Sequence, residues 1–202
     1  LRYAHANSQF RGRDVVAALP GGELFVDVLR YPKASERELQ DAIFSKMKPK
    51  LPVGWTKDGI VMKCIPTEQD NVMVIAARRA VIKRHLAIYE RAHLRIKSMS
   101  FWPLALAGIH DRLFAQRQHS SEAVVMLLDV QADHTSVVVC RGGNPLLAKS
   151  IRIDAGTHQA NAEAGRIVWE LTACRKQLLS LYRDVDIERL ILLSTSPVAA
   201  EI

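Results

Sequence analysis

Apolar and polar positions alternate in short runs along most of this chain, and four stretches switch to helical spacing. Near the start, residues 13–19 (RDVVAAL) read as a strand and Pro20-Gly21-Gly22 as a turn. Residues 23–30 (ELFVDVLR), in which Leu24, Val26 and Val28 alternate with Phe25 and Asp27, read as the hairpin partner of that strand. Ser35 stands three residues ahead of Glu38, the spacing of a capping box. A helix is therefore predicted over 36–48, ended by Pro49, with Leu39, Ala42, Ile43 and Met47 as its apolar stripe. After the Pro52-Val53-Gly54 turn, 59–65 and 71–77 read as strands. A helix follows from Arg78, with Ile82, Leu86 and Tyr89 at helical spacing. Residues 94–99 form a short strand, and Pro103 suits the first turn of a helix running through 114.

The polar stretch 116–121 (QRQHSS) is the best linker, and beyond it the pattern is cleaner. Residues 124–130, 135–140 and 146–153 read as strands, the last two joined across Gly142-Gly143-Asn144. A helix over 159–182 carries Ile167, Leu171, Cys174, Leu178 and Leu181 on one stripe, and 189–193 reads as a short strand of the buried type. The order βββαβ is the half-unit of ribonuclease-H-like and actin-like folds. Its last strand must return parallel through a helical crossover, because a tight turn cannot join parallel strands. The expected architecture is α/β: a partial first actin-like subdomain over 1–32, a smaller α+β subdomain over 33–115 inserted before the half-unit, and a second actin-like subdomain over 116–202.

Composition narrows the class. Hydrophobic residues make up 49% and charged residues 24% of 202, which is a globular and not a disordered balance. The longest apolar runs, such as 123–128, fall far short of the ~20 residues that span a bilayer. No charged start leads into an apolar segment as in a signal peptide, and the chain opens on Leu1, so residues before it are expected. Cys64, Cys140 and Cys174 are spaced for neither a CxxC site nor a disulfide framework, and read as buried free thiols of a reducing compartment. The seven histidines include no HxxxH pair, so no zinc site is expected. His110 beside Asp111 reads as a solvated surface pair, and Trp55, Trp102 and Trp169 as core or seam residues. The net charge of +7 suits anionic lipid, nucleic acid or an acidic protein surface. Arg78, Arg79, Lys83 and Arg84 concentrate that charge on one helix face, with no aromatic platform of the kind that single-strand binders use. That face reads as solvated, with phosphate contact as the functional alternative.

Several runs, kept in order over almost the whole chain, resemble one family. VVAALPGGELFVDVLRYPKASERELQDAI is similar to the strand and capped helix of PilM-type pilus assembly proteins, relatives of the actin-like division protein FtsA. NVMVIAARRAVIKRHLAIYERAHL resembles the strand and helix that follow there, RIKSMSFWPLAL a later strand, and MLLDVQADHTSVVV the second phosphate hairpin. ELTACRKQLLSLYRD resembles the crossover helix, and LILLSTSP the loop that closes on adenosine. The family's first glycine-rich loop precedes anything in this chain, and its last helix follows it.

The resemblance places the nucleotide and Mg²⁺ positions at Asp129, Gln131, His134, Thr135, Ser194, Thr195 and Ser196. Glycine is missing where a backbone must approach phosphate: Gln131 follows the hairpin aspartate, and Thr195-Ser196 replaces the glycine pair. No cofactor is therefore expected, with ATP and Mg²⁺ restored only if segments outside this sequence complete the site. The resemblance implies a non-catalytic scaffold of a type IV pilus or type II secretion-like machine, cytoplasmic and peripheral to the inner membrane. Its partner would be the cytoplasmic tail of a bitopic inner-membrane protein, docked in a groove at Phe25, Val26 and Tyr31. A homo-oligomer is compatible with this, and no nucleic acid is expected. The alternative is an ATP-binding actin-like ATPase whose first phosphate loop lies outside the chain.

Overall fold

The computed structural model describes residues 12–31, 35, 38–112, 122–131, 134–152 and 160–194. Among them the strands sort into three sheets. The smallest joins β1 (Asp14–Leu19) in parallel to β5 (Arg95–Phe101). The second has β4 (Asn71–Arg78) between β2 (Leu24–Arg30) and β3 (Ile60–Pro66), all antiparallel. The third, in the order β8-β7-β6-β9, contains β6 (Val124–Val130), β7 (His134–Arg141), β8 (Asn144–Arg152) and β9 (Arg189–Ser194). In it β6, β7 and β8 are antiparallel neighbours, and β9 returns parallel to β6 after the helix α4 (Ala160–Leu181). This is the βββαβ half-unit in register.

The remaining helices are α1 (Leu39–Met47), α2 (Arg79–Arg91) and α3 (Trp102–His110). Strand β4 shows why the middle sheet sits where it does. Asn71 to Ala77 are all buried, so the strand needs apolar cover on both faces. Val72, Val74 and Ala76 pack with Ile43 and Met47 of α1. Met73, Ile75 and Ala77 join a larger core with Leu127, Leu128, Leu146 and Leu147 of the third sheet and Ile167, Cys174 and Leu178 of α4. That core runs from Leu19 to Val185 without a break.

Several expectations change. The hairpin of 13–19 with 23–30 does not form: β1 pairs with β5, and β2 pairs with β4. A short 3-10 turn at Gly21–Glu23 carries the chain from one sheet to the next, so adjacency in sequence does not become pairing. The capping box is absent as well. Ser35 Oγ donates to Glu38 Oε2 at 2.8 Å and not to a backbone N–H, Glu38 caps α1 (Leu39–Met47) without a side-chain bond, and residues 36–37, where the predicted helix starts, lie outside the described residues. Among the described residues strand β9 is an edge, and Leu190, Leu192 and Leu193 are exposed where a buried strand was expected. Trp169 is likewise 67% exposed on the outer face of α4, whereas Trp55 and Trp102 are half-buried against the cores. His110 is buried. Burial lowers its pKa, against the opposing pull of the Asp111 carboxylate. All three cysteines are free, and burial pushes Cys140 and Cys174 up to about 11.

Candidate functional site

Two sheets present their edges to one another between β2 and β8, and the seam between them is the most elaborately built surface feature. The antiparallel ladders fix which backbone groups face it. Tyr31 N donates to Asp70 O at 2.8 Å, continuing the β2–β4 register, so odd-numbered residues of β2 bond to β4. Val26 and Val28 therefore turn their N–H and C=O groups away from β4. On the other side, Gln131 N donates to His134 O at 2.9 Å, which assigns even-numbered residues of β7 to β6 and odd ones to β8. Ala148 of β8 consequently faces outward too. Among the described residues the two edges make no backbone ladder with each other.

Side chains bridge the seam instead. Asp27 accepts from Lys50 Nζ at 2.6 Å and from Gln177 Nε2 at 3.0 Å, which ties β2 to α4. At the far end, Tyr182 donates its hydroxyl to Leu146 O at 2.7 Å and pairs with Thr67 Oγ1 at 2.8 Å. The bend between β3 and β4 holds the end of α4. Gln69 gives Nε2 to Arg183 O at 2.9 Å and accepts Arg183 N at 2.7 Å, while buried Asn71 donates to Glu68 O, Gln69 O and Leu181 O. Gln69 and Asp70 both adopt positive φ (54° and 56°), a strained conformation for residues with a Cβ, and it is held where the two halves join.

Two grooves open along this seam and share Leu181. One of about 390 Å³ is lined by Phe25, Val26, Asp27 and Val28 of β2, by Ala148 and Lys149 of β8, and by Lys50, Gln177 and Ser180. The next, of about 520 Å³, is lined by Arg30, Tyr31, Gln69, Asp70, Arg183 and Asp184. The three groove residues expected from sequence thus fall on one line, with Phe25 and Val26 in the first groove and Tyr31 in the second. Tyr182, Gln69, Asn71 and Gln177 were not singled out from sequence. Their roles come from contacts over 100 residues apart, and no local pattern marks them.

The described residues that the resemblance assigns to nucleotide, Asp129, Gln131, His134, Thr135 and Ser194, fall at one end of the third sheet. Val130 pairs with Thr135 and with Ser194, and Asp129 lies one step inward. Gln131 Nε2 donates to Asp129 Oδ1 at 2.6 Å, so the carboxylate is held by its own loop. The Gln131 N–H, which a phosphate loop would aim at its ligand, goes to His134 O. Thr135 is buried, and its hydroxyl finds no partner among the described residues. Thr195 and Ser196 lie outside the described residues. No group of three His, Cys, Asp or Glu among the described residues could hold a metal ion.

The basic face is less uniform than its sequence. Arg84 pairs with Glu23, and His85 Nε2 lies 2.7 Å from the other oxygen of the same carboxylate. Burial pushes Glu23 up, but those partners outweigh it and hold the carboxyl below its usual range. Arg79 Nε donates to Asp58 O at 2.9 Å, while Arg78 and Lys83 stand exposed. Among the described residues no helix is long and apolar enough to cross a membrane.

No protein-family model matches the chain, and no curated protein does. Solved structures do. The chain superposes on the PilM–PilN type IV pilus biogenesis complex with a TM-score of 0.69 at 22% identity, covering 98% of this chain and 67% of that one. It also superposes on the cytoplasmic domain of EpsL, an inner-membrane component of the type II secretion system of Vibrio cholerae. The TM-score there is 0.55 at 10% identity, covering 97% of this chain and 67% of that one. What the chain shares with both is the fold. With the parallel return of β9 through α4, it is an α/β protein built on the actin-like half-unit.

Proposed function

We propose that this chain is a non-catalytic assembly component of a type IV pilus or type II secretion-like machine, working beside the inner membrane. In this reading it docks the cytoplasmic tail of a bitopic, PilN-like membrane protein. The observation that carries it is the seam: two outward-facing strand edges, at Val26–Val28 and at Ala148, bordering confluent grooves. An extended peptide is the natural occupant of such an edge, because its backbone supplies the missing hydrogen bonds and its alternate side chains can enter the grooves. The likeness to a PilM–PilN complex supports the choice of partner. The non-catalytic reading is supported by Asp129 and the Gln131 N–H, both of which have internal partners. Titration with a fluorescent peptide copying the cytoplasmic segment of the cognate PilN-like protein tests the docking. A parallel thermal-shift titration with Mg·ATP tests the absence of catalysis, since a ligand that binds only the folded state must raise the midpoint with concentration. Saturable peptide binding with no ATP shift is the expected pair of results. An ATP-dependent shift would restore the ATPase reading.

A further inference from the structure

The segment following α1 carries a second surface that, apart from Lys50, the docking seam does not use. Residues 48–57 (KPKLPVGWTK) contain three lysines, with a fourth, Lys46, just upstream, and no carboxylate. Its turn is tightly specified: Trp55 N donates to Pro52 O at 3.2 Å, and Gly54 takes φ 84°, as a type II turn demands. That places Val53 at the apex, where it is fully exposed. Leu51 and Trp55 on either side are half-buried against the α1 core and anchor the loop. A loop that served only as a solvated connector would have no need to hold its one bare aliphatic residue outermost on a rigid turn.

The surrounding charge is positive. The chain runs from this loop through Asp58 and Gly59, whose carbonyls accept from Arg79 Nε and Arg79 N, both at 2.9 Å. The basic start of α2 is thereby fastened beside the loop, and Arg78 pairs with Ile60 at the same end of the sheet. These contacts bring Lys57, Arg78 and Arg79 together with Asp41, which pairs with Lys57, and Asp58, while Lys48 opens the same loop and Lys83 lies one turn into α2. Among the described residues no carboxylate pairs with Lys48, Arg78 or Lys83.

We propose that this end of the molecule seats on an anionic bilayer surface, with Val53 entering the headgroup boundary and the surrounding cations meeting lipid phosphates. The inference rests on the reading that the chain works beside a membrane, and it is independent of which peptide the seam accepts. Lipid is favoured over nucleic acid because the apex is aliphatic and Trp55 is rooted in the core, so no free ring is offered to a base.

The test is co-sedimentation of the chain with phosphatidylglycerol-containing vesicles and with pure phosphatidylcholine vesicles, at low and high salt. Binding is expected to the anionic vesicles alone and to fall away with salt. Val53→Ser should weaken it about tenfold, the effect of one buried aliphatic side chain. Lys48→Ala with Arg78→Ala should weaken it about thirtyfold, at roughly fivefold per cation. These three side chains are exposed, so the melting temperature should stay put, and peptide binding at the seam should be unchanged. No sedimentation with anionic vesicles at low salt overturns the proposal, as does binding that neither variant weakens. Binding displaced by duplex DNA and indifferent to Val53→Ser would identify a nucleic-acid surface and overturn it equally. If vesicles fail while the peptide still binds, only this inference falls; if the peptide fails while vesicles bind, only the docking does.

Discussion

Replacing Tyr182 by Phe removes one oxygen from the place where the two halves of the fold are joined. The ring stays, so no cavity opens and the apolar packing of this 1% exposed residue is preserved. What is lost is the hydroxyl that donates to Leu146 O at 2.7 Å and pairs with Thr67 Oγ1 at 2.8 Å. The Leu146 carbonyl is buried and would be left without that donor, a cost of ~1–3 kcal/mol. Thr67 is only half-buried, so water can take the place of its lost partner at little cost. The sum is about 2 kcal/mol, which for a chain of this size is a fall of roughly 4–8 °C in the melting midpoint. Urea denaturation followed by tryptophan fluorescence reads it directly. Thr67→Val alone should cost less, and after Tyr182→Phe it should cost almost nothing, because the pair is already broken. A Tyr182→Phe protein within 0.5 kcal/mol of the parent would mean that the seam is not held in this way.

Gly21 and Gly22 offer a paired prediction from adjacent residues. A Cβ on Gly21 would lie 2.9 Å from Trp102 Nε1 and 3.3 Å from the hydroxyls of Ser136 and Ser150, whereas one on Gly22 meets nothing within 4 Å. Gly21→Ala should therefore destabilise by about 1–3 kcal/mol and Gly22→Ala hardly at all, as thermal melts would show. Alkaline stability should fall for a stated reason. Cys140 and Cys174 ionise near 9 when unfolded but are held at about 11 in the fold, mainly by burial. The folded state thus keeps protons that the unfolded state releases, and the contribution is fully present below pH ~9 and lost as pH climbs toward 11, at most ~3 kcal/mol per thiol. Tyr182, also raised chiefly by burial, adds to the same limb, and Cys140→Ala should flatten it in denaturation measured from pH 8 to 11.

The half-unit was legible because its signals are local. Strands β6 to β8 and the stripe of α4 follow from alternation and helical period, and the turn between β7 and β8 from its glycines. The partner of β1 was not legible. Two apolar runs across a Pro-Gly-Gly turn look like a hairpin wherever their true partners lie more than 40 residues on, as Ala77 and Phe101 do for β2 and β1. Strand β9 misled in the opposite sense, since Leu190, Leu192 and Leu193 carry the apolar pattern of a buried strand while standing at an edge among the described residues. The groove line of Phe25, Val26 and Tyr31 was reached through resemblance. The polar residues that shape it, Gln69, Asn71 and Gln177, become visible only when strands β3 and β4 meet the end of α4.

The central claim is that the open edge of β2 receives an extended tail, and one binding titration tests it most directly. Val26→Pro removes a backbone N–H that points into the groove and leaves the β4 ladder intact, as an edge strand tolerates. Anisotropy of the labelled tail peptide should then show saturable binding to the parent chain and about tenfold weaker binding to Val26→Pro, the ~1.4 kcal/mol of one hydrogen bond. Equal affinity for the two proteins, or no binding to the parent, would contradict it.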